Sequence, residues 1–185
     1  MADLNIALIT LFKQEGLFSD DKNDPGGATN YGISLRWLKS ISAIDDHGIL
    51  TGDLNHDGFV NVADIRSLTK QAAADLYKKY WWNQFGYGII TDQFIANKIL
   101  SASVNMGGEQ AARIAQRAVW SILGYKKIDD DGVLGPKSFS MINVCPAAQL
   151  LSAIKSEMAA IYRMIIAHNP NSQEYANGWF NRAYS

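Results

Sequence analysis

Apolar residues recur at helical spacing along most of this chain, and that period decides which folds are open to it. Leu4, Ala7, Leu8, Leu11 and Phe12 share one face of an N-terminal helix. Ala72, Ala73, Leu76, Tyr77 and Tyr80 do the same for a helix over about 69–82, and Leu150, Leu151, Ile154, Met158, Ile161, Tyr162 and Ile165 mark a long helix over about 146–167. Between them the pattern predicts a helix from 92 to about Asn105, a break at Gly107-Gly108, a helix over 109–123, and a turn at 129–136 in which Pro136 opens a short helix. The chain is therefore mainly α. Its 185 residues, 48% of them hydrophobic, suffice for one domain or for two small lobes that share a core.

One stretch breaks the helical rule: EGLFSDDKNDPGGATNYGI, residues 15–33. Glu15 falls at the C-terminal end of the first helix, where the helix dipole disfavours an anion and pushes a carboxyl group toward its neutral form. Pro25-Gly26 suits a type II turn, Thr29 to Ile33 reads as extended, and Ser34 opens a helix through about Ser42, which makes a small hairpin against a helical body. Cleavage of a glycosidic bond needs a protonated acid at the leaving oxygen and a second group that orients water or stabilises positive charge. Glu15 and Asp24 supply such a pair, and Thr29 is placed to hold the water. The plain alternatives are a helix-end surface acid for Glu15 and an ordinary turn residue for Asp24.

Composition narrows the partners. With 17 basic and 18 acidic residues and no Lys/Arg-dense run, a phosphate backbone is not expected, and a neutral target suits the chain better. The single cysteine, Cys145, excludes an intramolecular disulfide framework and reads as a buried thiol. Asp3 and Lys13 spoil a signal-peptide reading of the N-terminus, and no apolar run approaches the roughly 20 residues of a membrane span, so the expectation is a soluble, monomeric protein made in the cytoplasm.

Residues 53–64 read DLNHDGFVNVAD. Asp53, Asn55, Asp57, Asn61 and Asp64 occupy positions 1, 3, 5, 9 and 12 of a calcium-loop pattern, Gly58 takes position 6, and the Phe59 carbonyl falls at position 7. The last ligand is Asp64 where a standard EF-hand has Glu, so the loop is closer to those of dockerin modules. The expectation is a structural Ca2+ held by Asp53, Asn55, Asp57, Phe59, Asn61 and Asp64, pinning the segment between the hairpin and the following helix; an acidic surface turn is the alternative. Asp129, Asp130 and Asp131 lack further spaced oxygens and read as a solvated turn.

Glu15-Gly16, the Asp24-Pro25-Gly26-Gly27-Ala28-Thr29 stretch with Tyr31-Gly32-Ile33, Tyr80-Trp81, and Asn105 followed by Gly107 resemble glycoside hydrolase family 108, the peptidoglycan N-acetylmuramidases of phage endolysins and bacterial secretion-associated lysozymes. The tail, with Asp131-Gly132-Val133-Leu134-Gly135-Pro136-Lys137 and Gly178-Trp179-Phe180-Asn181-Arg182, is similar to the peptidoglycan-binding half that follows in that family. The resemblance covers nearly the whole chain except about 45–66, where the calcium loop is an insertion, and it places the family's catalytic Glu on Glu15. Leu17 departs from the second Gly that many members carry, and the gap from Asp24 to Thr29 is one residue shorter than in the similar Glu-Asp-Thr set of phage lysozymes.

The resemblance implies a lysozyme-like α+β fold with a small active-site hairpin, a catalytic lobe over 1–90 and a helical wall-binding lobe over 91–185, independent or packed as one globule. It implies an endolysin that hydrolyses the β-1,4 bond between N-acetylmuramic acid and N-acetylglucosamine, stored in the host cytoplasm until it reaches the wall. Tyr31, Trp82 and Tyr87 are candidate faces for sugar stacking or else core aromatics, and Asn105 either contacts an acetamido group or caps its helix. Two rivals stand beside this reading: a lytic transglycosylase, which leaves an anhydro-muramic end, and a non-catalytic calcium-dependent wall-binding module, which leaves walls intact.

Overall fold

The computed structural model describes residues 1–15, 18–20, 27–44, 50–124 and 129–185, with nothing further on the side chains of Gln14 and Glu15. The chain divides into two units, Leu8–Lys78 and Met1–Ala7 with Lys79–Ser185. Helix α1 spans Leu4–Glu15, so Glu15 is its last residue, as the apolar spacing requires.

In the unit of residues 8–78, the hairpin is tighter than the sequence suggested. Strands β1 (Thr29–Asn30) and β2 (Ile33–Ser34) pair antiparallel, Thr29 with Ser34 and Asn30 with Ile33. Residues 29–33 are thus no single extended run, because Tyr31 and Gly32 turn the chain with φ of 49° and 77°. Two positive φ values in a two-residue loop match the right-handed twist of the strands, and Tyr31 accepts a conformation that glycine takes more easily. The tyrosine is held there by others: the Tyr77 hydroxyl donates to its carbonyl at 3.0 Å, and Phe12 meets its ring edge-on at 5.6 Å.

Helix α2 (Leu35–Ser40) follows at once, its first turn capped by the Ser34 hydroxyl, which accepts from the Trp37 amide. Helix α3 (Val62–Ser67) was not foreseen; it is started by a capping box in which Asn61 and Asp64 satisfy each other's backbone amides. Helix α4 (Lys70–Tyr77) is capped by Thr69 and runs into a π-helical turn, Lys78–Asn83, where one regular helix to residue 82 was expected. Asn30, buried on the hairpin, donates from Nδ2 to the Ile65 and Leu68 carbonyls at 3.0 and 3.3 Å, so the hairpin satisfies the end of α3.

In the other unit, α5 (Gln93–Met106), α6 (Gly108–Leu123), α7 (Pro136–Val144), α8 (Ala147–His168) and α9 (Ala176–Tyr184) form a helical assembly. Gly107, with φ 87°, separates α5 from α6 at the predicted break. Ile99, Ile114, Ala115, Ala118, Leu150, Ile154 and Met158 are fully or nearly fully buried where α5, α6 and α8 pack. The terminal α9 packs on α8 with Trp179 stacked on Tyr162 at 5.1 Å. Cys145 is buried and unbonded, as expected. No helix among the described residues is long and apolar enough to cross a membrane.

Candidate active site

The backbone sets Glu15 at the end of α1 and Thr29 at the start of the hairpin. Thr29 exchanges two backbone hydrogen bonds with Ser19, both 2.8 Å, an isolated antiparallel bridge. Its hydroxyl donates to the Gly27 carbonyl at 3.3 Å, a weak bond that leaves the oxygen available to a water molecule. The Glu15 side chain and all of Asp24 lie outside the described residues, as does the predicted Pro25-Gly26 turn. Asp20, next to Ser19, stands 3.9 Å from Arg66, whose guanidinium also covers the Phe18 ring. That gives Asp20 a surface ion pair, a different task from the one assigned to Asp24.

Of the candidate sugar-contacting residues, Tyr31 is half-buried in the hairpin turn. Trp82 and Tyr87 are 7% and 0% exposed, meet edge-on at 6.4 Å, and Tyr87 stacks on Phe85 at 5.8 Å. They are core aromatics here, with no open ring face. Burial raises the Tyr87 hydroxyl far above the usual phenol range, so it stays protonated. Asn105, one turn beyond Ser101 near the end of α5, donates from Nδ2 to the Ser101 carbonyl at 2.8 Å.

The 53–64 loop is ordered by its own amides. Asp53 accepts from Asp57 and Gly58 N–H at 3.1 and 2.8 Å, Asn55 Oδ1 from Asp57 N–H at 3.0 Å, and Asp57 Oδ1 from Phe59 N–H at 2.9 Å. Asp64, fully buried, accepts from Leu54 and Asn55 on Oδ1 and from Asn61 on Oδ2, while Asn61 caps Ala63. Gly58 takes φ 89°, as the sharp bend requires. The Asn55 amide beside Asp57, with the Phe59 amide, holds its carboxyl below the usual range. Among the described residues, no three carboxylate, imidazole or thiol side chains converge as a metal site.

The 129–131 turn is more structured than a solvated loop. Asp130 pairs with Arg117, and its carbonyl accepts from Arg113. Gln116, buried on α6, donates to the Asp131 carboxylate and the Val133 carbonyl and accepts from Gly132 N–H. Gln116 is a functional residue whose sequence signal is its apolar-face position on α6 ahead of a run of acids.

Comparison with known families places this geometry. The model of Glycosyl hydrolase 108 matches residues 8–107, and that of a Predicted Peptidoglycan domain matches 110–184. The structure of Brucella abortus SagA superposes with a TM-score of 0.73 at 23% identity, covering 98% of this chain and 89% of that one, and shows a common lysozyme-like α+β fold. No curated protein matches the chain. A hydrolase segment followed by a peptidoglycan segment defines a glycoside hydrolase whose partner is peptidoglycan. The chain belongs to the glycosyl hydrolase 108 family.

Proposed function

We propose that the protein is an N-acetylmuramidase that hydrolyses the β-1,4 bond between N-acetylmuramic acid and N-acetylglucosamine. The observation that carries this is the position of Glu15, last residue of α1 and shortly ahead of the Ser19–Thr29 bridge, inside the segment that matches the hydrolase family. Glu15 protonates the glycosidic oxygen. Asp24 orients the attacking water or stabilises the oxocarbenium-like transition state, and Thr29 helps hold that water. Mass spectrometry of muropeptides released from purified walls tests this: reducing muramic ends are expected, and anhydro-muramic ends would make the enzyme a lytic transglycosylase.

The joining of hydrolase and wall-recognition segments in one chain also suits a phage endolysin, held in the host cytoplasm until the wall becomes accessible. The 53–64 spacing supports a structural Ca2+ site formed by Asp53, Asn55, Asp57, Phe59, Asn61 and Asp64. A cation there would need these carboxylates to share oxygens with the amides they now accept. No catalytic step passes through it.

A further inference from the structure

The C-terminal half carries a cavity that the hydrolytic site does not use. It encloses about 220 Å³ between α6, the 129–135 turn and the first turn of α7. That is below the about 300–1,000 Å³ of sites for drug-sized ligands, so it admits a fragment rather than a whole disaccharide. Its lining runs from buried Val119 and Ile142, past Trp120, to exposed Asp129, Asp131 and Lys137.

The acidic side is built. Buried Gln116 fixes Asp131 by donating to Oδ1 at 2.7 Å, and the Val133 amide donates to the same oxygen at 2.9 Å. Gln116 also braces the turn through Gly132 N–H at 3.1 Å and the Val133 carbonyl at 3.0 Å. Gly132 rests directly on α6: with φ 80°, a Cβ there would come within 2.5 Å of Glu109 Cγ. Neither Asp129 nor Asp131 forms an ion pair among the described residues, unlike Asp130 between them. The Gln116 and Val133 donors hold the Asp131 carboxyl ionised, below the usual range.

The opposite side is electropositive. Helix α7 starts with Gly135 and Pro136, without a side-chain cap, and Lys137 follows. A helix start left open in this way favours a carboxylate, and Lys137 adds a full charge. Acid, apolar wall and base therefore line one small space. A neutral sugar has no use for opposite charges across its site, whereas an amino-acid end presents both.

We propose that this cavity binds the zwitterionic end of a diamino acid in the peptide stem of peptidoglycan, with the ammonium at Asp131 and Asp129, the carboxylate at Lys137 and the α7 start, and the methylenes over Val119 and Trp120. It deepens the assignment of peptidoglycan as partner and rests on it. Val133 also borders a second cavity, of about 300 Å³, beside Phe85, Leu134 and Phe139, which gives the remainder of a stem a place to lie.

Calorimetry on the full chain tests this with three probes: a stem peptide ending in a free diamino acid, the same peptide with its side-chain amine acetylated, and the peptide-free disaccharide. The free peptide should bind, and acetylation, Asp131→Asn or Lys137→Glu should each weaken it by about tenfold or more. Thermal melts check that both variants are folded, and because Lys137 is not among the hydrogen-bond partners of Gln116 within the described residues, its variant decides if the other does not fold. Equal binding of the acetylated peptide, equal or tighter binding of the disaccharide, or no binding of any probe overturns the proposal. The hydrolase reading is judged apart, from the products that the wild-type protein releases from walls: cutting without peptide binding removes only the cavity's role, and binding without cutting removes only the muramidase.

Discussion

Lys98 offers the sharpest test of how the C-terminal half is held together. Its side chain enters the α5–α8–α9 core, 5% exposed, and Nζ donates to the Arg182 carbonyl at 2.9 Å and the Ala183 carbonyl at 3.4 Å, at the end of α9. A cation at a helix C-terminus is well placed, but burial, with Lys155 and Arg182 nearby, brings its pKa from 10.5 to about 8. Below pH 8 the folded and unfolded chains both carry the charge, and the folded chain bears the full cost of burying it. Between about 8 and 10.5 the folded chain has lost a proton that the unfolded chain keeps, so stability rises with pH through that window. The shift of about 2.5 units corresponds to about 3 kcal/mol at 1.36 kcal/mol per unit, of which a series ending at pH 10, short of the unfolded pKa, captures about 2. Lys98→Met removes this slope while its lost hydrogen bonds add a pH-independent cost. Urea denaturation of both proteins at pH 7, 8, 9 and 10 should show the wild type gaining about 2 kcal/mol relative to the variant across the series. Parallel stability curves would refute the reasoning and mean that Lys98 stays charged in the fold.

Glu15→Gln should cost more than about a hundredfold in wall lysis with the melting temperature unchanged, because the amide keeps the shape but donates no acidic proton; substantial residual lysis by a folded variant would remove the acid role. Asp24→Asn should also be severe and Asp20→Asn mild, since Asp20 is engaged with Arg66 on the surface; turbidity assays showing the reverse order would move the second carboxylate to Asp20. Calcium at a hundred times its dissociation constant should add about 2.7 kcal/mol of stability, and Asp57→Ala should blunt that response; identical melts with calcium and chelator would mean that the loop's amides suffice. Asn30→Ala should destabilise by about 1–3 kcal/mol, because the Ile65 and Leu68 carbonyls lose their donor, and a neutral result in denaturant melts would show that water replaces it.

What the sequence made legible follows from how local each signal is. Helices α1, α5, α6 and α8 were visible because their apolar residues repeat within a few turns, and the Ser34, Thr69 and Gly107 boundaries because caps act on immediate neighbours. The α3 helix escaped because its six residues are fewer than two turns, and what starts it is a capping box whose two members were already assigned to calcium. One set of residues answers two chemistries here: an Asp or Asn that accepts backbone amides in a tight loop is also spaced to surround a cation, and sequence cannot tell which demand shaped it. The aromatic residues show the same limit in another form. Tyr87 and Trp82 read equally well as core or as sugar platform, and only the π-helical turn after α4, together with Gly88, where a Cβ would meet Trp82 Nε1 at 3.0 Å, turns both inward. The hairpin shows why register is the hardest element to read. Tyr31 lies in the left-handed region because Tyr77, 46 residues later, holds its carbonyl, and a contact so distant leaves no trace in the NYGI segment it shapes. The end of α1, which carries Glu15, is by contrast set by local signals. The cavity rests on a buried glutamine and an uncapped helix start that only the fold brings together.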